Sequence, residues 1–283
     1  MRYSWFTVGL PESTQVEAVA LMKKYGYNGI EWRVVADKGD TAKPGFWSGN
    51  KTTLQDDWDD SKYKEIADMT RSEGLDMPNL GSYAKANDLE KAKRMIEIAA
   101  VMGVPTLRVN VLGYDGKENY NDIFKKDTDN FSKIVEFSKK HKVKPLFEIH
   151  MGTIIASASA ALRFASQWKS DEIGVIHDAG NMVYEGFENY KMGIEMLGKY
   201  LSHVHIKNAV KLYEPVTGAQ PLLWKTAAAP LRTGCVNFKE LITALKETGY
   251  DGWLSIEDFS TVMTQEEKVR DGIAFIKEIE KSI

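Results

Sequence analysis

The chain has 283 residues, with 37 lysines and arginines against 40 aspartates and glutamates, which gives a net charge of −3 at pH 7. The two signs are interspersed, so no broad basic field exists to bind a nucleic-acid backbone. The single cysteine excludes an intramolecular disulfide, and we find neither a signal peptide nor the roughly 18 consecutive apolar residues of a membrane span. We therefore expect a cytoplasmic protein with no nucleic-acid or membrane partner.

Short β-branched or aromatic runs alternate along the chain with longer stretches of helical period, which predicts parallel strands joined by crossover helices. The predicted strands are 2–8, 29–34, 76–82, 104–111, 143–149, 173–178, 201–206 and 252–257. The predicted helices are 14–25, 60–73, 88–102, 128–141, 157–168, 189–199, 237–248 and 265–281, several of them capped by Ser13, Asp88, Ser157 or Asn237. Eight such units predict a single-domain α/β fold over residues 1–283, a closed (β/α)8 TIM barrel.

Three strand-to-helix connections are long, and in such a barrel they share the face where the strands end. They span residues 36–57, 112–127 and 208–236, and the last lacks helical periodicity, so we expect a long loop there. In or beside them stand Trp47, Trp58, Tyr114, Tyr120 and Trp224. These aromatics either cover a polar substrate or pin the loops to the barrel rim, and exposed ones would permit a homodimer.

Four candidate metal ligands stand at the ends of four separate hydrophobic runs: Glu148, Asp178, His205 and Glu257. The first two intervals between them are each close to the roughly 31 residues of one strand-helix unit, and the third is one unit plus the 208–236 insertion. Singly, each residue could be an ordinary polar strand terminus. Together, three carboxylates and one imidazole predict a divalent-metal site at the barrel mouth.

Side chains two residues apart on a strand point the same way. If Glu148 faces inward, so does His150, and if His205 faces inward, so do His203 and Lys207. His203 would then lie one layer deeper than His205, which favours a hydrogen-bonded core residue over a ligand.

The same alternation turns His177 outward toward the helices. By the same rule, Glu31 and Arg33 both point into the barrel, and so do Arg108 and Asn110. Charged groups inside a barrel are costly unless they are paired or functional, so a structural pair between Glu31 and Arg108 is one alternative.

Five segments in order, GIEWR, FEIHMGT, HDAGNMVYEG, HVHIKN and GYDGWLSIED, resemble the sugar isomerase and epimerase superfamily with the xylose-isomerase-like barrel. Its members include ketose 3-epimerases, hydroxypyruvate isomerase and inosose dehydratase. The resemblance implies metal binding by Glu148, Asp178, His205 and Glu257, with both glutamates also transferring protons. It further implies substrate contacts from Glu31, His150 and Lys207.

Two positions depart from the pattern of these relatives. Asn181 stands where many have a histidine, and Arg232 stands at the first glycine of a G-x-G turn. We count both as candidate substrate contacts, and Arg232 together with Lys207 could hold a substrate phosphate. The alternative is that Lys207 balances the three carboxylates and Arg232 is solvated.

The ligand set predicts one divalent ion, with Mn2+ placed first and Mg2+, Co2+ or Zn2+ as alternatives. The predicted activity is that of a metal-dependent isomerase or epimerase, which acts on a ketose or related sugar through a metal-stabilised enediolate with Glu148 and Glu257 in proton transfer. An inosose-type dehydratase and a non-catalytic barrel that binds a sugar or cyclitol are the alternatives. An apurinic-site endonuclease would need more histidines than the five present and a basic groove.

Overall fold

A computed structural model describes residues 1–214 and 223–283. Eight parallel strands close into a barrel in the order β1, β10, β7, β6, β5, β4, β3, β2. They are β1 (Arg2–Phe6), β2 (Gly29–Val34), β3 (Leu80–Ser82), β4 (Thr106–Arg108), β5 (Lys144–Glu148), β6 (Gly174–Asp178), β7 (Leu201–Ile206) and β10 (Trp253–Ile256). Each lies within a strand predicted from the sequence, and the (β/α)8 fold is confirmed.

Helices surround the barrel and bury their apolar faces against it. They are α1 (Gln15–Tyr25), α2 (Asp60–Ser72), α3 (Leu89–Met102), α4 (Tyr120–His141), α5 (Ala158–Ala165), α6 (Ala179–Tyr184), α7 (Tyr190–Leu197), α8 (Phe238–Glu247) and α9 (Gln265–Lys281). Short 3-10 turns occupy Thr7–Gly9, Gly198–Tyr200 and Leu231–Thr233. Among the described helices, none is both long and apolar enough to cross a membrane.

The helix boundaries correct the sequence prediction at three places. Helix α1 is capped by the side chain of Thr14, which accepts a hydrogen bond from the backbone of Glu17, and not by Ser13. Helix α4 begins at Tyr120, eight residues earlier than predicted, because Asn119 caps it. Helix α6 was not predicted; it begins directly after β6, where the Asp178 side chain accepts from the backbone of Asn181.

The insertion after β7 is not a long loop in its described part. Strands β8 (Asn208–Glu214) and β9 (Leu223–Ala229) pair antiparallel as a hairpin, and the cross-strand rings of Tyr213 and Trp224 lie 5.9 Å apart. Positions 215–222 of the predicted loop lie outside the described residues. The alanines of β9 weaken the sequence signal for a strand, since alanine is depleted in strands and backbone pairing with β8 decides the conformation.

Candidate metal centre and active-site cavity

The four predicted ligands converge at the carboxyl ends of four neighbouring strands. Glu148 ends β5, Asp178 ends β6, His205 lies near the end of β7, and Glu257 follows β10. These strands are adjacent in the barrel order, so their ends share one sector of the rim. One nitrogen or oxygen atom from each side chain lies within 4.8 Å of the others, and all four residues are buried.

The donor atoms of this cluster suit a divalent ion. Bonds of about 2.0–2.2 Å place ligand atoms about 3–4.4 Å apart, and this cluster needs only small adjustments to meet that spacing. His205 Nδ1 lies 2.9 Å from Glu148 Oε1, 3.2 Å from Glu257 Oε1 and 3.8 Å from Asp178 Oδ2. Three hard oxygen donors and one imidazole are a set used by Mn2+, Mg2+, Co2+ and Zn2+ sites.

Two buried cations accompany the carboxylates. Lys207 Nζ lies 2.5 Å from Asp178 Oδ2 and 3.0 Å from Glu257 Oε1, and Arg108 Nη1 donates to Glu148 Oε2 at 2.7 Å. The Arg108 to Glu148 pair replaces the alternative pair between Glu31 and Arg108. Lys207 faces the barrel interior, as the strand alternation predicts. Its contacts in the structure are with the carboxylates of Asp178 and Glu257, whose negative charge it balances.

These neighbours set the ionisation of the two glutamates. Burial by itself raises the pKa of Glu148, yet the charges of Arg108 and His205 outweigh it and hold that pKa well below its usual value. For Glu257, burial is likewise outweighed by Lys207 and His205, which lower its pKa to about 2. Both side chains are thus carboxylates at neutral pH, as a ligand or a proton acceptor must be.

Asn181 lies behind two of the candidate ligands. Its Nδ2 donates to Asp178 Oδ2 at 2.9 Å and to Glu148 Oε1 at 3.2 Å, and the residue is fully buried. It also lines a second cavity of about 380 Å³ beside the centre, together with His150 and Lys207. Asn181 therefore orients ligand carboxylates in addition to bordering space for a substrate.

Glu31 lies beneath the centre and does not line either cavity. Its carboxylate accepts hydrogen bonds from Asn79 Nδ2 at 2.7 Å and His203 Nε2 at 3.0 Å, and it lies 3.3 Å from His205 Nε2. The substrate contact expected from Glu31 is not supported by this position. The prediction that His203 is a hydrogen-bonded core residue matches the contact.

A cavity of about 470 Å³ opens above the centre. Glu148, Glu257, Arg108, Lys207 and His150 line it, and an aromatic wall closes one side. The wall is formed by Trp47, Tyr83 and Phe259. The ring centroid of Trp47 lies 4.9 Å from that of Phe259 and 6.1 Å from that of Tyr83.

Of the five loop aromatics predicted near the mouth, Trp47 borders this cavity. Trp58 packs against Tyr63 of α2, and Tyr120 belongs to α4. The sequence interpretation missed Tyr83 and Phe259, which follow the ends of β3 and β10. The available signal was that Tyr83 directly follows β3 and that Phe259 comes two residues after the candidate ligand Glu257.

Arg232 does not reach the cavity. Its Nε donates to Asp271 at 2.9 Å and its Nη1 to Glu278 at 2.8 Å, both on the outer helix α9. In this structure Arg232 is engaged by two carboxylates of α9, so the predicted substrate contact is not supported by its position. His177 points outward as predicted and lies against Tyr190 of α7.

Fold and site together define a TIM barrel with a candidate metal centre at the carboxyl ends of its strands. The model of the xylose isomerase-like TIM barrel family matches residues 19–279, and the chain belongs to that family.

Sequence relatives cover only part of the chain. The inosose dehydratase of Clostridium botulinum (strain Eklund 17B / Type B) is 26% identical over 153 residues, which are 51% of this chain and 50% of that protein. The chain thus spans about half the length of the curated relatives it matches.

Solved structures match across the whole fold. D-psicose 3-epimerase from Clostridium cellulolyticum H10, solved with D-tagatose, superposes with a TM-score of 0.73 at 12% identity over 99% of both chains. A xylose isomerase-like TIM barrel protein from Mycobacterium smegmatis, in complex with magnesium, gives 0.70 at 16% identity over 99% of this chain and 97% of that one. These similarities establish a shared architecture.

Proposed function

We propose that the protein is a divalent-metal-dependent enzyme that moves a proton beside the carbonyl group of a small sugar or cyclitol. One observation carries the proposal: Glu148 and Glu257 belong to the four-residue metal cluster and also line the cavity. Two carboxylates that border both an ion site and a substrate-sized space are placed for proton transfer. The family membership and the magnesium complex of a structural neighbour support it.

Glu148, Asp178, His205 and Glu257 would hold the ion. When bound, it would polarise a substrate carbonyl and the adjacent hydroxyl and so acidify the neighbouring C–H bond. One glutamate then takes the proton, and the substrate is left as an enediolate. Arg108 and Lys207 lower the pKa of Glu148 and of Glu257, respectively, and would compensate for the negative charge that develops.

The fate of the enediolate decides the reaction class. Inversion of the stereocentre requires the second glutamate to take a proton from the substrate hydroxyl or from water and to deliver it to the opposite face of the same carbon. Return of the abstracted proton by the first glutamate to the adjacent carbon isomerises the sugar, and loss of a hydroxyl group from the carbon next to the enediolate, as hydroxide or as water once protonated, dehydrates it. We propose the isomerase or epimerase reaction first. The dehydratase is the second candidate, and the inosose dehydratases among the sequence relatives favour it.

The outward position of Arg232 favours an unphosphorylated substrate. Its guanidinium is engaged by two carboxylates of α9, so Lys207, Arg108 and Lys85 are the cations that line the described cavity. Lys207 and Arg108 are each already paired with a carboxylate. A free ketose or an inosose therefore suits this site better than a sugar phosphate.

The test is a panel of ketoses, ketose phosphates and inososes incubated with the protein and Mn2+ in D2O. Deuterium incorporation at an α-carbon, read by mass spectrometry and NMR, is the expected result. New ketose products identify an epimerase or isomerase, and an unsaturated or dione product identifies a dehydratase. Tight sugar binding with no exchange from any compound would instead identify a non-catalytic binding protein.

A further inference from the structure

Below the candidate metal centre lies a second layer of polar side chains with no contact to the cavity. Glu31 extends from β2 across the barrel interior to β7 and is completely buried. Its Oε2 lies 3.0 Å from His203 Nε2, and both of its oxygens lie 3.3 Å from His205 Nε2. The centre and this layer are therefore joined through the two nitrogens of one ring, that of His205.

The hydrogen-bond roles in this layer are determined by Glu31, because a carboxylate can only accept. Asn79 must turn its Nδ2 toward Glu31 Oε1 at 2.7 Å, since its carbonyl oxygen would repel the carboxylate. The carbonyl oxygen of Asn79 instead lies 2.7 Å from Thr106 Oγ1. Thr106, Asn79 and Glu31 form a chain in which each group is oriented by the next.

The same logic applies to His205. Both ring nitrogens face carboxylates: Nε2 lies 3.3 Å from Glu31, and Nδ1 lies 2.9 Å from Glu148 and 3.2 Å from Glu257. An ion held by Glu148 and Glu257 would take the place of the proton on Nδ1, whereas the proton on Nε2 would stay hydrogen-bonded to Glu31. The ring of Phe6 stacks on the imidazole with centroids 5.6 Å apart and planes at 25°, which opposes rotation of the ring. Held in this way, His205 would offer Nδ1 to a binding ion once the ion displaces the proton there, while Nε2 stays hydrogen-bonded to Glu31.

We propose that Glu31 is a positioning residue for the metal centre: it accepts the Nε2 proton of His205, with His203 and Asn79 as its other donors, and so reserves Nδ1 as the metal ligand. The inference rests on the proposed function, because it assumes that the four-residue cluster binds an ion. A carboxylate behind a ligating histidine sets the tautomer and makes the ligand more basic.

Glu31, His203 and His205 also lie close enough together to be considered as a second ion site. Glu31 already has Asn79 at 2.7 Å on one oxygen and His203 at 3.0 Å on the other. A second ion would have to displace these bonds and would share His205 with the first. One ion per chain is what the proposal requires.

The experiment uses the whole chain labelled with 15N-histidine, which is tractable because it contains five histidines. Spectra are recorded with and without Zn2+, and Mn2+ affinity and stoichiometry are measured by calorimetry. The variants are Glu31→Gln, which keeps the size of the side chain, and Asp127→Asn, which alters another fully buried carboxyl on α4 away from the cluster. Circular dichroism and thermal melting report whether each variant folds.

The expected wild-type spectrum shows His205 with the proton on Nε2 and zinc on Nδ1, at one ion per chain. Glu31→Gln should bind Mn2+ about 10–100-fold more weakly and lose the single tautomer, whereas Asp127→Asn should bind like the wild type. The wild-type spectrum tests the proposal even if Glu31→Gln does not fold.

Zinc on Nε2, two ions per chain, or a folded Glu31→Gln with unchanged affinity and tautomer would each overturn the role of Glu31. The last two outcomes leave the proposed metal centre intact, whereas zinc on Nε2 would place the ion outside the four-residue cluster and overturn that centre as well. A wild-type protein that binds no divalent ion would remove the metal centre itself, and the positioning role with it.

Discussion

Replacing Arg108 with methionine tests the buried ion pair that holds Glu148. The two side chains are 5% and 4% exposed, and their nearest nitrogen and oxygen are 2.7 Å apart. At an effective dielectric constant of about 20, this separation corresponds to about 6 kcal/mol of attraction, part of which offsets the cost of burying both charges. Removing one partner of such a pair costs about 3–5 kcal/mol, because the other charge stays buried.

For a chain of this size, each kcal/mol lowers the melting temperature by roughly 2 °C, so Arg108→Met should melt about 6–10 °C below the wild type at pH 7. The pKa of Glu148 is depressed in the folded state, so the stability from the pair is present above the unfolded value of 4.5 and is lost as the pH falls. The difference between variant and wild type should therefore shrink below about pH 4.5.

The assays are thermal melting at pH 7 and urea unfolding at several pH values, both followed by circular dichroism, with EDTA present so that adventitious metal does not restore the site. The matched control is Arg2→Gln, which removes an exposed arginine whose pair with Asp76 spans 3.7 Å and should contribute no more than about 1 kcal/mol. Equal losses for both variants, or a loss for Arg108→Met that does not change with pH, would refute the reasoning.

Three further predictions concern other residues. Glu257→Gln should reduce α-carbon deuterium exchange by about 10²–10⁴-fold while lowering the melting temperature less than Arg108→Met does, because Lys207 keeps Asp178 as a partner; matching losses of stability and turnover would point to a structural role. Arg232→Ala should leave KM unchanged for both a sugar and its phosphate, because its partners are Asp271 and Glu278; a selective rise for the phosphate would contradict this. Burial raises the pKa of Asp127 from 3.8 to about 7, so the folded state binds the extra proton and stability falls as the pH rises between those values. Asp127→Asn should therefore be more stable than the wild type at pH 8, by up to about 4 kcal/mol, and the gain should disappear near pH 4; urea titrations at both pH values check it.

The sequence alone was enough to predict the barrel and the rim position of the candidate ligands. Hydrophobic period is a local property, and the strands β2 and β7 match their predicted spans because nothing distant is needed to recognise them. Parallel strands that close into a barrel end on one face, so the positions of Glu148, Asp178 and His205 at strand ends suffice to assign them to a common mouth.

The tertiary structure decided which partner each polar group takes. Arg108 and Glu31 both face the interior, but Arg108 pairs with Glu148 of the adjacent strand, and Glu31 crosses the barrel to His203 and His205. Such choices depend on strand order, register and side-chain reach across the barrel, and none of these is encoded in local periodicity.

The same limit explains the errors at the surface. Arg232 contacts α9 because it pairs there with the carboxylates of Asp271, 39 residues further along the chain, and Glu278. Strands β8 and β9 form a hairpin because their backbones pair by antiparallel hydrogen bonding, although the alanines of β9 do not by themselves predict a strand. Contacts between distant segments are decided by which surfaces the folded barrel brings together, and only the assembled structure contains that information.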